Sequence, residues 1–158
     1  MSVLTTFEEA HAVRCELAAE TLRTSGRLRL RVTGWSMFPS VRPGDTLMIE
    51  RVELDSVDCG DIVLFERGGQ LYVHRVVRKS GAKILTRGDA MPQADPEVEE
   101  QELLGRVRLI LRHGERVEVR RKRWVGERIV GAVMGRWEFG ARVVAKMHGM
   151  RVAVEPVA

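Results

Sequence analysis

Between residues 27 and 121 the apolar residues recur at every second position in short runs, the period that a β-strand with one wet face imposes. Leu28, Leu30 and Val32 alternate with Arg27, Arg29 and Arg31. Further strand-like runs follow at Thr46–Val52, Ile62–Glu66, Leu71–Arg78, Ala82–Thr86, Leu104–Arg112 and Arg116–Arg121. Gly68-Gly69 and His113-Gly114 fall where tight hairpin turns are expected. The expected architecture is antiparallel β.

Helical periodicity flanks this stretch. Thr6 and Glu9 have capping-box spacing, and Phe7, Ala10, Val13, Leu17 and Ala18 fall on one face before Gly26, which predicts an amphipathic helix over about residues 6–24. From Trp124 to about Met150 the helical period returns, with Val125, Ile129, Val133 and Trp137 at four-residue steps after the basic run Arg120-Arg121-Lys122-Arg123. This segment reads either as a helix packed on the sheet with a solvated basic face, or as a helix lying on an anionic membrane surface through Trp137 and Phe139. The chain thus divides into a helix (1–26), a β core (27–121) and a basic amphipathic helix and tail (122–158) within a single domain. Gln93–Glu102, acidic and preceded by Pro92, reads as an excursion between strands rather than a linker.

Charge is unevenly distributed. Residues 1–105 carry 13 Lys/Arg against 17 Asp/Glu, a net −4, and residues 106–158 carry 13 against 5, a net +8. Attraction to phosphate or anionic lipid belongs to the C-terminal third, and no nucleic-acid-binding module is visible, so no nucleic-acid partner is expected. Cys15 and Cys59 lack metal-ligand spacing and read as reduced thiols in a cytoplasmic protein. No run approaches the ~18 apolar residues of a membrane span.

The loop Gly34–Asp45 can present a serine hydroxyl at a sheet rim, and Ser36 is the candidate nucleophile. A serine needs a base to take its proton. Of four histidines, His74 alone lies in the middle of a strand-like run, where a polar side chain must be paired; taken by itself it reads first as a strand histidine satisfied by a carbonyl or carboxylate, and second as the candidate base. Asp89 and Asp95 are the downstream carboxylates. Asp89 reads first as a turn cap after Gly88, and Asp95 as either the partner of the histidine or a solvated loop acid.

The boxes Gly34-Trp35-Ser36-Met37-Phe38-Pro39, Arg42-Pro43-Gly44-Asp45, Cys59-Gly60-Asp61-Ile62-Val63, Val73-His74-Arg75-Val76, Thr86-Arg87-Gly88-Asp89 and Leu104-Gly105-Arg106-Val107, in this order, resemble the type I signal peptidases and the wider superfamily with the self-cleaving SOS and phage repressors. The resemblance spans roughly residues 28–110. It is closest to the endoplasmic-reticulum-type subgroup, which has histidine in a His-Arg-Val context where other members use lysine. The resemblance implies Ser36 as nucleophile, His74 as base and Asp95 as triad acid, with Asp89 at the supporting turn. Gly34 stands where signal peptidases carry an oxyanion-hole serine, which leaves that role to backbone N–H groups.

The fold implied is a coiled, barrel-like antiparallel β body with flanking helices, mainly β within the α+β class. The activity implied is that of a serine endopeptidase without a membrane anchor, cleaving a precursor peptide or protein bound as an extended strand. No metal or organic cofactor is expected. The alternative is a non-catalytic peptide-binding module of the same fold, with peripheral membrane contact through residues 120–150. The sequence sets neither the substrate nor the oligomeric state.

Overall fold

The computed structural model describes residues 3–121 and 153–154. Helix α1 (Val3–Ser25) leads into strands β1 (Arg27–Arg31), β2 (Thr46–Arg51), β3 (Ile62–Arg67), β4 (Gln70–Ser80), β5 (Lys83–Arg87), β6 (Val98–Glu99), β7 (Leu103–Arg112), β8 (Glu115–Val117) and β9 (Ala153–Val154), with a short 3-10 turn at Leu54–Ser56. The strands form one antiparallel sheet in the order β6-β5-β4-β3-β7-β2-β1-β9, with β8 paired to β7. The sheet does not close on itself through hydrogen bonds among the described residues. Register shifts between Met48 and Ile49, Leu64 and Phe65, and Val76 and Arg78 mark bulges, which sharpen local twist and bend. The mainly β fold with a helix in front is the one that the alternating sequence runs imply.

Alternation puts a core on each face of the sheet. Leu28 and Leu30 of β1, Leu47 and Ile49 of β2, Ile62 and Leu64 of β3, and Leu71 and Val73 of β4 pack under α1. Leu54, Val57, Val63, Phe65, Val76, Ile84, Val98 and Leu103 form the second cluster. The excursion after β5 therefore contributes to packing, because β6 carries Val98 into that cluster.

Three details differ from the sequence expectations. The helix begins at Val3, so Thr6 lies inside it and cannot be its N-cap. Its buried face is Cys15, Ala18, Ala19 and Leu22, whereas Val13 and Leu17 are 62% and 56% exposed. Spacing of i, i+3, i+4, i+7 is preserved, but the face is rotated toward small residues that let the helix approach the sheet. Gly105 of β7 makes the same allowance, since a Cβ there would come within 2.9 Å of Leu22 Cδ2 and 2.6 Å of the Glu50 carbonyl. The last expected strand, Arg116–Arg121, ends at Val117, because the Arg120 and Arg121 carbonyls turn to the Arg75 guanidinium and Arg121 pairs with Asp61. The helix expected over 124–150 lies outside the described residues. Among the described residues no helix is long and apolar enough to cross a membrane.

Candidate active site

The Ser36 loop is a long connection closed at its neck. Val32 N–H donates to the Asp45 carbonyl at 2.9 Å, and Gly44 N–H donates to the Val32 carbonyl at 2.8 Å. The Asp45 carboxylate accepts the Arg42 N–H at 2.8 Å and a two-point contact from Arg112, Nε at 3.0 Å and Nη2 at 2.8 Å. That fork geometry fixes orientation as well as distance, and the hydrogen bond that Arg112 donates to Asp45 raises the Arg112 pKa. Within the loop, Phe38 N–H donates to the Trp35 carbonyl and Val41 N–H to the Met37 carbonyl, both at 3.0 Å. Met37 and Val41 are buried in the core under α1, so the turn that carries Ser36 is anchored on both sides by apolar side chains. Ser36 is only 7% exposed, while Trp35 beside it is 52% exposed and tilts against Phe38.

His74 lies on β4, 5% exposed, in a T-shaped ring contact with Phe65. A buried imidazole needs a polar partner. Its Nδ1 lies 2.7 Å from Asp95 Oδ2, and the same oxygen accepts the Thr86 hydroxyl at 2.7 Å. The Asp95 N–H in turn donates to the Thr86 carbonyl at 2.8 Å, so residues 87–94 form a loop whose ends are tied at Thr86 and Asp95. An ionised carboxylate only accepts, so it draws the ring proton to Nδ1 and leaves the Nε2 lone pair directed away from Asp95.

Gly88 brings this pair to the Ser36 loop. A Cβ built on Gly88 would lie 2.6 Å from the Ser36 carbonyl oxygen and 3.2 Å from His74 Nε2, so both groups converge on the space its missing side chain leaves. The Ala90 N–H fixes the approach by donating to the Ser36 carbonyl at 2.8 Å. The Ser36 carbonyl and His74 Nε2 thus both border Gly88, and Asp95 holds the other side of the His74 ring.

Asp89 does something different. It is 2% exposed and accepts Arg75 Nε at 2.9 Å and Nη2 at 2.7 Å, with the Ser40 hydroxyl as a further donor. Arg75 continues to the Gly60 carbonyl at 2.9 Å and the Arg120 carbonyl at 2.6 Å. Asp89 ties the turn to the Ser36 loop through Ser40 and holds Arg75. Gly34, half-buried, occupies the approach to Trp35 and Ser36.

Sequence reasoning named none of Arg67, Arg75, Thr86 or Arg112 as support. Arg67 donates to Glu102 through Nε at 2.6 Å and Nη2 at 2.7 Å, and to the Pro96 and Glu97 carbonyls at 3.2 and 2.7 Å, immediately after Asp95. The only advance signal was Thr86, a polar residue at the inward position of the alternating run Lys83–Arg87. Among the described residues no group of three or more His, Cys, Asp or Glu side chains could hold a metal ion. Cys15 is buried, which pushes its thiol pKa up and makes it a poor nucleophile, and Cys59 is exposed; neither forms a disulfide among the described residues.

The family model described as Peptidase S24-like matches residues 3–108, from the first turn of α1 into β7. The chain belongs to the S24-like peptidase family. This places the S24-like chain in the superfamily of repressor peptidases and signal peptidases that its ordered boxes resemble, and the match takes in α1 as well as the sheet. A comparison with curated proteins returned no match.

Proposed function

We propose that this S24-like chain is a serine endopeptidase of the histidine-using branch, with Ser36 as nucleophile, His74 as general base and Asp95 as the acid that orients it. One observation carries the reading: the His74 Nδ1 contact to Asp95 at 2.7 Å, with Nε2 turned to the space that Ser36 borders across Gly88. A strand histidine satisfied only for packing needs no such convergence on a serine loop.

In the proposed reaction the Ser36 hydroxyl attacks a peptide carbonyl as His74 Nε2 takes its proton. The Asp95 carboxylate stabilises the imidazolium and holds the ring. The Ser36 N–H has no backbone acceptor among the described residues and is the natural first donor to the oxyanion. His74 then protonates the leaving amine, and water attacks the acyl-Ser36 ester with His74 again as base. Asp89, through Arg75 and Ser40, keeps the turn in place without touching the reacting atoms.

The test is mass spectrometry of a diverse peptide library incubated with the wild type and with Ser36→Ala, following the intact mass of each protein in parallel. Cleavage by the wild type alone supports the reading and reports the residues flanking the cut. Identical libraries after both incubations would remove the peptidase reading and leave a peptide-binding module.

A further inference from the structure

Sheet register sets a third residue beside the His74 and Asp95 pair. Thr86 of β5 stands opposite Val76 of β4, and side chains two apart on a strand share a face, so His74 and Thr86 are diagonal neighbours. Val76, Ile84 and Phe65 of the second core cluster occupy the same region, and Thr86 is 0% exposed. A hydroxyl in such surroundings requires a partner. It donates to Asp95 Oδ2 at 2.7 Å, the oxygen that also meets His74 Nδ1 at 2.7 Å. The Thr86 carbonyl accepts the Asp95 N–H at 2.8 Å, so Thr86 grips Asp95 by its backbone and by its carboxylate.

The other polar groups nearby are engaged elsewhere. Arg67 holds Glu102 and the Pro96 and Glu97 carbonyls, Arg75 holds Asp89, and the Tyr72 hydroxyl donates to Gln70 Oε1 at 3.0 Å. Among the described residues, His74 and Thr86 are the two side chains that contact the Asp95 carboxylate.

We propose that Thr86 is a positioning residue for His74: its hydroxyl fixes the rotation of the Asp95 carboxylate, which in turn fixes the tautomer and aim of the imidazole. The kinetic consequence rests on the peptidase reading of Ser36, whereas control of the imidazole is measurable without turnover. The torsion that turns a carboxylate about its Cβ–Cγ bond is broad, so one hydrogen bond leaves it loosely defined. The Asp95 side chain is 22% exposed, and water can reach it. A charge-assisted bond from a buried hydroxyl supplies the second fixed point. Catalytic groups work within about 10–20° of their productive geometry, a tolerance that such supporting bonds enforce.

The experiment compares full-length wild type with Thr86→Val and Thr86→Ser. Valine keeps the shape and the backbone carbonyl and removes the donor; serine keeps the donor. The first readout is the pair of ring-nitrogen NMR signals of His74 in ¹⁵N-histidine-labelled protein at about pH 8.5, above the ordinary histidine range, assigned by their absence in His74→Gln. The second is kcat and KM on a peptide that the wild type cleaves. We expect the wild-type ring to hold its proton on Nδ1, Thr86→Val to move the signals toward a mixture of tautomers and to lower kcat about tenfold with KM unchanged, and Thr86→Ser to restore both. Identical ring-nitrogen signals in wild type and Thr86→Val overturn the proposal, as does a Thr86→Ser variant as impaired as Thr86→Val. Should Thr86→Val fail to fold, Thr86→Cys, whose thiol is a weak donor, is read in the same two ways against the same criteria. Signals that depend on Thr86 in a chain that cleaves nothing remove the peptidase reading alone. Signals indifferent to Thr86 in a chain with Ser36-dependent cleavage remove the role of Thr86 alone.

Discussion

His74 and Asp95 stand 21 residues apart in sequence and 2.7 Å apart in space, while Asp89, nearer to His74 in the chain, is taken up by Arg75. The two aspartates therefore predict separable failures. Asp95→Asn removes the acceptor that holds the imidazole in its tautomer, and turnover of a cleaved peptide should fall by about 10²–10⁴-fold with little change in melting temperature. Asp89→Asn leaves a buried arginine without its ion-pair partner, a change of about 3–5 kcal/mol that thermal unfolding will register. Equal losses of turnover in two equally stable variants would contradict the division of roles.

The alternating runs made most of the sheet legible, because a period of two is a direct consequence of strand geometry and the buried residues Leu28, Leu30, Leu47 and Ile49 obey it. Ser36 and His74 are singled out as candidates only by the ordered boxes that contain them, and Asp95 by its spacing from the Gly88-Asp89 turn, since each residue alone has an ordinary structural explanation. The guanidinium contacts were not legible. Arg67, Arg75 and Arg112 reach across 35, 14 and 67 residues to their carboxylates, and spacing carries no trace of such pairs. Helix α1 follows the expected face at Ala18 but departs from it at Val13 and Leu17, the more hydrophobic residues, which are exposed while Cys15, Ala19 and Leu22 are buried beside Ala18.

Gly88 makes a sharper demand on the site than any charged group. A methyl at its position would meet the Ser36 carbonyl at 2.6 Å, and this is backbone that the Ala90 N–H already holds. Met91 can swing aside, but the Ser36 loop must shift. Gly88→Ala should lower kcat by about 10²-fold, the order associated with displacement of a reacting group by about 1 Å. Single-turnover cleavage assays will check this, and a variant with full kcat would show that Ser36 and His74 do not work across this gap.

The rotated face of α1 yields a stability test. Leu22→Ala empties a fully buried site and should cost about 2–5 kcal/mol, whereas Leu17→Ala should change stability by less than about 0.5 kcal/mol. Urea unfolding of the two variants measures both. A larger loss at Leu17 would restore the face that the sequence pattern alone suggested.

Arg67 links stability at low pH to the position of Asp95. Its hydrogen bond to Glu102 holds the Glu102 carboxyl below its ordinary pKa of 4.5. A carboxylate with a depressed folded pKa contributes stability above its unfolded pKa and loses it as pH falls through the folded value. Glu102→Gln should therefore be less stable than wild type at pH 7, and the difference should shrink steadily below about pH 4.5. Arg67 also holds the Pro96 and Glu97 carbonyls, so Arg67→Met should add a fall in kcat at neutral pH with KM little changed, because the backbone after Asp95 loses its clamp. Melting temperatures across pH 3–7 and paired kcat and KM values separate the two effects. A difference between wild type and Glu102→Gln that widens toward acid would reverse the sign assigned to this ion pair.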